Sequence, residues 1–147
     1  MIQRVQSIFF LVVTICSICL LAFPFISYEN LFNTFTLRAM KQPYTGFWYD
    51  TAEILNLIIL LLSFTCVFLF KKRMLQFRMA NILAFLNVCL LAVLLFTQTA
   101  LVDDFLGGTK HTLWPSYLPI IAMIFAYLAG VFIKKDENLV RSTDRIR

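Results

Sequence analysis

"MANILAFLNVCLLAVLLFTQTALV", Met79 to Val102, runs for 24 residues without Asp, Glu, Lys, Arg or His. As a helix rising about 1.5 Å per residue it would cover about 36 Å, more than the roughly 30 Å hydrocarbon core of a bilayer. A barrel strand needs about ten residues of alternating polarity, and this run does not alternate. It reads as a membrane-spanning helix.

Three further runs share its character: Ile8 to Ile26, Ile54 to Phe70 and Tyr117 to Ile133. The 147-residue chain is 61% hydrophobic and only 14% charged, where soluble domains carry roughly a quarter charged residues. The expected fold is an all-α membrane protein, a bundle of four transmembrane helices. The spans fall at about 5–27, 51–70, 79–102 and 116–133, followed by a cytoplasmic tail at 134–147. No Gly- or Ser-rich linker divides them, so the expectation is one domain. The first run is long for a secretory signal, and "LLAFPFIS" offers no small-x-small cleavage pattern, so it reads as a retained helix.

The connections carry the topology signal. Arg4, Lys71, Lys72, Arg73, Arg78, Lys134, Lys135, Arg141, Arg145 and Arg147 fall on one side, and only Arg38, Lys41 and Lys110 on the other. The positive-inside rule places both termini in the cytoplasm. The basic balance therefore reflects topology and attraction to anionic lipid, not nucleic-acid binding.

The outer connections are aromatic. In "SYENLFNTFTLRAMKQPYTGFWY", Ser27 to Tyr49, the alternation of "NTFTLRA" and the strand-like composition of "TGFWY" predict a small β-hairpin in the first outer loop. Trp48, Tyr49 and Trp114 suit the membrane interface. Asp50 and Glu53 in "DTAE" have capping-box spacing at the start of the second span. Asp103 and Asp104 precede the turn signal "GG", and with His111 as the single histidine they match no standard metal site.

Catalysis finds no support in these residues. Cys16 and Cys19 form C-x-x-C inside an apolar span, and Cys66 and Cys89 also lie in spans, where thiols act as small apolar packers. The expectation is a non-enzyme with no cofactor and no metal. The spans instead carry packing equipment. Ala122, Ala126 and Gly130 recur every four residues and line one helix face, and Ala80 and Ala84 repeat the pattern on the third span. The amides of Asn56, Asn81, Asn87 and Gln98 should find partners across helices. The tail mixes Arg141, Arg145 and Arg147 with Leu139, Val140 and Ile146, a composition suited to docking on a partner or lying on the membrane.

The start "MIQRVQSIF" and the end "KKDENLVRSTDRIR" resemble the two ends of a family of small bacterial four-span inner-membrane proteins, a domain of unknown function. The resemblance implies a bacterial inner-membrane location and assigns no activity or site residue. In outline the layout is also similar to claudins, by analogy of shape alone, since their paired loop cysteines are missing. The expected function is a non-enzymatic accessory or scaffold subunit whose partners are membrane lipids and another inner-membrane protein. The alternative is a protein that binds lipid or a small hydrophobic ligand, or a transporter component, with its site between the outer helix ends.

Overall fold

Proline lacks the amide hydrogen a helix needs and pushes the residue before it out of the helical region. Helix α1 (Gln3–Ala22) accordingly stops two residues ahead of Pro24, earlier than the end near 27 expected from hydropathy. The computed structural model describes residues 3–29, 34–37, 47–69, 73–104 and 109–144. Three more helices follow: α2 (Phe47–Phe68), α3 (Arg73–Asp104) and α4 (Leu118–Asp144). Strands β1 (Ile26–Glu29), β2 (Thr34–Leu37) and β3 (Thr109–Thr112) lie between them, with a 3-10 turn at Trp114–Tyr117 leading into α4.

Each helix packs against its neighbour in sequence, and α4 closes the ring by packing on α1. Ring contacts fix the directions. Phe25, just past α1, stacks on Tyr49 at the start of α2, and Trp48 beside it stacks on Phe96 near the end of α3. Adjacent helices therefore run antiparallel. Inward positions recur at alternating intervals of three and four: Gln6, Phe10, Val13, Ser17 and Leu20 on α1; Tyr49, Ala52, Asn56, Ile59, Ser63 and Cys66 on α2; Gln76, Ala80, Leu83, Asn87, Leu90, Leu94 and Thr97 on α3. This is the seven-residue repeat of shallow left-handed helix packing.

The perimeter is apolar all round. Ile8, Leu11 and Ile15 of α1, Leu57, Leu61 and Phe64 of α2, Ile82 and Phe85 of α3, and Ile120, Ile124 and Tyr127 of α4 are exposed. Phe47–Phe68, Met74–Thr99 and Trp114–Val140 are each long and apolar enough to cross a membrane, and Gln6–Ala22 is a shorter apolar helix. An interior that holds buried polar side chains among its apolar ones, inside an apolar shell, is the arrangement a bilayer selects, because lipid cannot hydrogen-bond outward-facing polar groups. The chain is built as a membrane protein.

One end of the bundle carries a three-stranded antiparallel sheet in the order β2-β1-β3. The hairpin expected in the first outer loop is β1–β2, with Ile26 opposite Leu37 and Tyr28 opposite Phe35. Two details differ from the sequence reading. Phe47, Trp48 and Tyr49 open α2 instead of forming a strand, held by the ring contacts just described, and β1 takes its second neighbour from the other outer loop. Asp50 consequently lies within the first turn of α2, not at its cap, where its charge still faces the positive end of the helix dipole. The "GG" turn at Gly107 and Gly108 lies outside the described residues.

In α4 the small residues Ala122, Ala126, Ala129 and Gly130 are buried within the bundle. A Cβ added at Gly130 would meet Asn81 Oδ1 at 3.4 Å, the Ala80 Cβ at 3.6 Å and Phe77 Cδ2 at 3.9 Å, all on α3. Those are ordinary contacts, so Gly130→Ala is expected to be tolerated within about 1 kcal/mol, helped by alanine's helix propensity. Gly130→Leu overfills the same space and is expected to cost about 1–3 kcal/mol. Thermal unfolding of both variants in one detergent checks the pair, and equal midpoints would remove this contact from the account.

Candidate functional site

Polar side chains in the spans collect along the seam between α1 and α2. Thr14 Oγ1 donates to Ser63 Oγ across the interface at 3.0 Å and also lies 2.9 Å from the Phe10 carbonyl of its own helix. One turn further along, Asn56 Nδ2 donates to the Ser17 carbonyl at 3.2 Å. At the opposite end Gln76 Nε2 reaches the Cys66 carbonyl at 3.2 Å and joins α3 to the last turns of α2. Desolvated hydroxyls and amides of this kind hold helices in register where apolar burial gains nothing over lipid.

The four amides singled out in the sequence have four different fates. Only Asn56 bonds across a helix interface. Asn87 Nδ2 donates to the Leu83 carbonyl of its own helix, and Gln98 Oε1 accepts from Thr112 Oγ1 of β3 at 3.4 Å. Asn81 is exposed beside Gly130. Sequence reasoning passed over Gln6, Thr14, Ser17, Ser63 and Gln76, all buried. Their signal was spacing, since Asn56 and Ser63 stand seven residues apart, on the stripe that also carries Ile59 and Cys66.

Asn56 is 2% exposed, and its Oδ1 has no hydrogen-bond partner among the described residues. It lines a cavity of about 10 Å³ with Leu20, Phe25, Tyr49, Ala52, Glu53 and Leu94. That space fits one water molecule, with Asn56 and Glu53 offering acceptor oxygens. Above it Phe25 and Ile26 plug the sheet end of the bundle. The Phe25 carbonyl accepts from Leu113 N at 3.1 Å and from Ser116 Oγ at 2.6 Å, which fixes the entry to α4 against the exit from α1.

At the other end α4 continues well past its last core residue, Ile133. Lys134, Lys135, Asn138, Leu139 and Val140 are exposed on it. Of the proposed docking residues, Leu139 is 50% exposed, and Arg141 lies within the helix span. Arg145, Ile146 and Arg147 lie outside the described residues. The second proposed set, Ala122, Ala126 and Gly130, faces into the chain's own bundle. The thiols of Cys16, Cys19, Cys66 and Cys89 are free, and no group of three or more metal-ligating side chains occurs among the described residues.

Residues 2–146 match the model of a family described as a domain of unknown function (DUF4293). The chain belongs to that family. DUF4293 is thereby a family in which at least this member builds four antiparallel helices capped by a small sheet. No curated protein matches the chain.

The seam can be weighed directly. A double-mutant cycle on Thr14→Val and Ser63→Ala is expected to give a coupling of about 0.6 kcal/mol, with about 1.7 kcal/mol as the upper bound for interhelical hydrogen bonds in membranes. Unfolding free energies of the wild type, both single variants and the double variant measure it. A coupling indistinguishable from zero would reduce the pair to packing.

Proposed function

We propose that the chain is a four-pass protein of the bacterial inner membrane with both termini in the cytoplasm, and that it acts as a non-enzymatic accessory or scaffold subunit of a protein assembly. The observation that carries this reading is the overhang of α4. From Lys134 to Asp144 the helix projects about 15 Å beyond the core, and it carries Leu139 and Val140, 50% and 42% exposed, past the lysines that mark the membrane surface. Exposed apolar side chains there are suited to a protein surface. The sequence there also holds Arg141, Arg145 and Arg147, a residue type whose planar group can pair with carboxylates while its stem packs on apolar surface.

Location rests on separate support. The start of the chain at Arg4, the stretch 71–78 between the second and third spans, and the stretch from Lys134 onward together carry ten of the thirteen Lys and Arg residues. At 20 residues α1 is about 30 Å long, enough to cross the core beside α2 and α4. The resemblance of the two termini to a family of bacterial inner-membrane proteins is what supports the choice of that membrane. A ligand site between the outer helix ends gains no support from the cavity at Asn56, which has room for a water and not for an acyl chain.

Reporter fusions after Arg147 and between 71 and 78 are expected to report cytoplasm, and fusions near Pro43 or Gly108 the exterior. An external C-terminus would overturn the topology.

Truncation after Lys135 tests the function itself. It leaves every core residue in place but removes the half-buried, engaged Asp136 and Glu137, so insertion is expected to match the full chain while thermal stability falls slightly. A protein that co-purifies in stoichiometric amount with the full chain is expected to be lost from the truncated one. If the truncated chain retains the same partner and complements a deletion strain equally well, the docking role of the overhang is wrong.

A further inference from the structure

The outward face of α4 changes character once. Ile124, Tyr127 and Val131 are exposed and apolar or aromatic, and the next turn of the same face presents Lys134 and Lys135. Val131, Lys134, Lys135, Asn138 and Leu139 stand at i, i+3, i+4, i+7 and i+8, and together they line a shallow, open groove on one face of the helix. We propose that this groove binds one anionic phospholipid, its phosphate between Lys134 and Lys135 and one acyl chain along Val131, Tyr127 and Ile124.

Length and charge both fit. Ile124 and Lys134 are ten residues apart, about 15 Å along a helix, which is one leaflet of a roughly 30 Å core. An acyl chain laid on the stripe therefore reaches from mid-membrane to the lysines. Asn138, one turn beyond the lysines, adds amide donors and an acceptor for the headgroup on the far side of the phosphate. The acidic residues of the same turn do not cancel the lysines. Helical geometry places Asp136 and Glu137 off the groove, where they are half-buried and engaged with other groups of the chain. The groove thus presents two cations at the level where phosphates lie. A second apolar helix could cover the stripe but would leave both ammonium groups without an anion.

The test needs only the purified full-length chain and is independent of the accessory role. Reconstituted with phosphatidylcholine and phosphatidylglycerol and released for native mass spectrometry, the wild type is expected to keep one phosphatidylglycerol. Each lysine near an anionic surface contributes a factor of roughly five, so Lys134→Gln with Lys135→Gln is expected to weaken retention about 30-fold. Both side chains are exposed, so its melting in phosphatidylcholine alone should be unchanged. Arg78→Gln removes an exposed cation from α3 and is expected to keep the lipid. Soluble glycerol phosphate is expected to leave no adduct. Equal loss in Arg78→Gln and in the double variant, equal retention of phosphatidylcholine, an equal glycerol phosphate adduct, or an acidic protein in place of lipid would each overturn the proposal.

Discussion

A bilayer offers no hydrogen bonds, and that constraint orders everything else in this molecule. Backbone groups are met inside helices, and side-chain donors and acceptors must be met inside the bundle or by their own helix. Both solutions are visible. Thr14, Ser17, Asn56, Ser63 and Gln76 turn inward, while the outward hydroxyls of Thr65 and Thr99 donate to Leu62 and Phe96 carbonyls one turn back. The result inverts a soluble bundle: polar groups sit in the seam, and Phe, Leu and Ile face out.

That inversion also decides which surfaces are spent. The small face of α4 is consumed by the chain's own packing on α3, with Gly130 against Ala80. The aromatic pairs Phe9–Phe125 and Phe9–Phe132 close the other flank of α4 onto α1. What α4 has left is its outward stripe and its overhang, which meet at Lys134 and Lys135. Buried small residues mark a close approach of backbones, and sequence alone does not say whether the second backbone belongs to the same chain.

The spans were legible because the bilayer demands uncharged runs of a set length, and hydropathy measures just that. Which side of a helix faces inward was not. Leu83 and Phe85 are two residues apart and equally apolar on any scale, yet one is 0% and the other 66% exposed. Only the few polar residues carry the inward direction, which is why Asn56 pointed correctly and Asn81 did not. "TGFWY" reads as a strand because aromatic composition is shared by strands and by helix starts at the membrane interface; in the structure Phe47, Trp48 and Tyr49 are helical, with Tyr49 stacked on Phe25 and Trp48 on Phe96. "TKHT" has no apolar alternation, and its strand state exists only through pairing with β1. Lys134 and Lys135 mark where the apolar stretch stops, but charge does not end a helix, and α4 runs on to Asp144.

The sheet order β2-β1-β3 sets a schedule for biogenesis. β1 can pair with β2 as soon as the first outer loop has emerged, since Leu37 follows Ile26 by eleven residues. Its other edge stays open until Thr112 arrives, and the Phe25 carbonyl waits for Leu113 and Ser116. At about 5–20 residues per second, synthesis takes about 4–17 s to cover that interval. Throughout it the first two helices carry an unfinished strand edge at their sheet end. The fourth helix thus completes the sheet end as well as the bundle, and a ribosome stalled within α3 would leave that edge open to any other extended chain within reach.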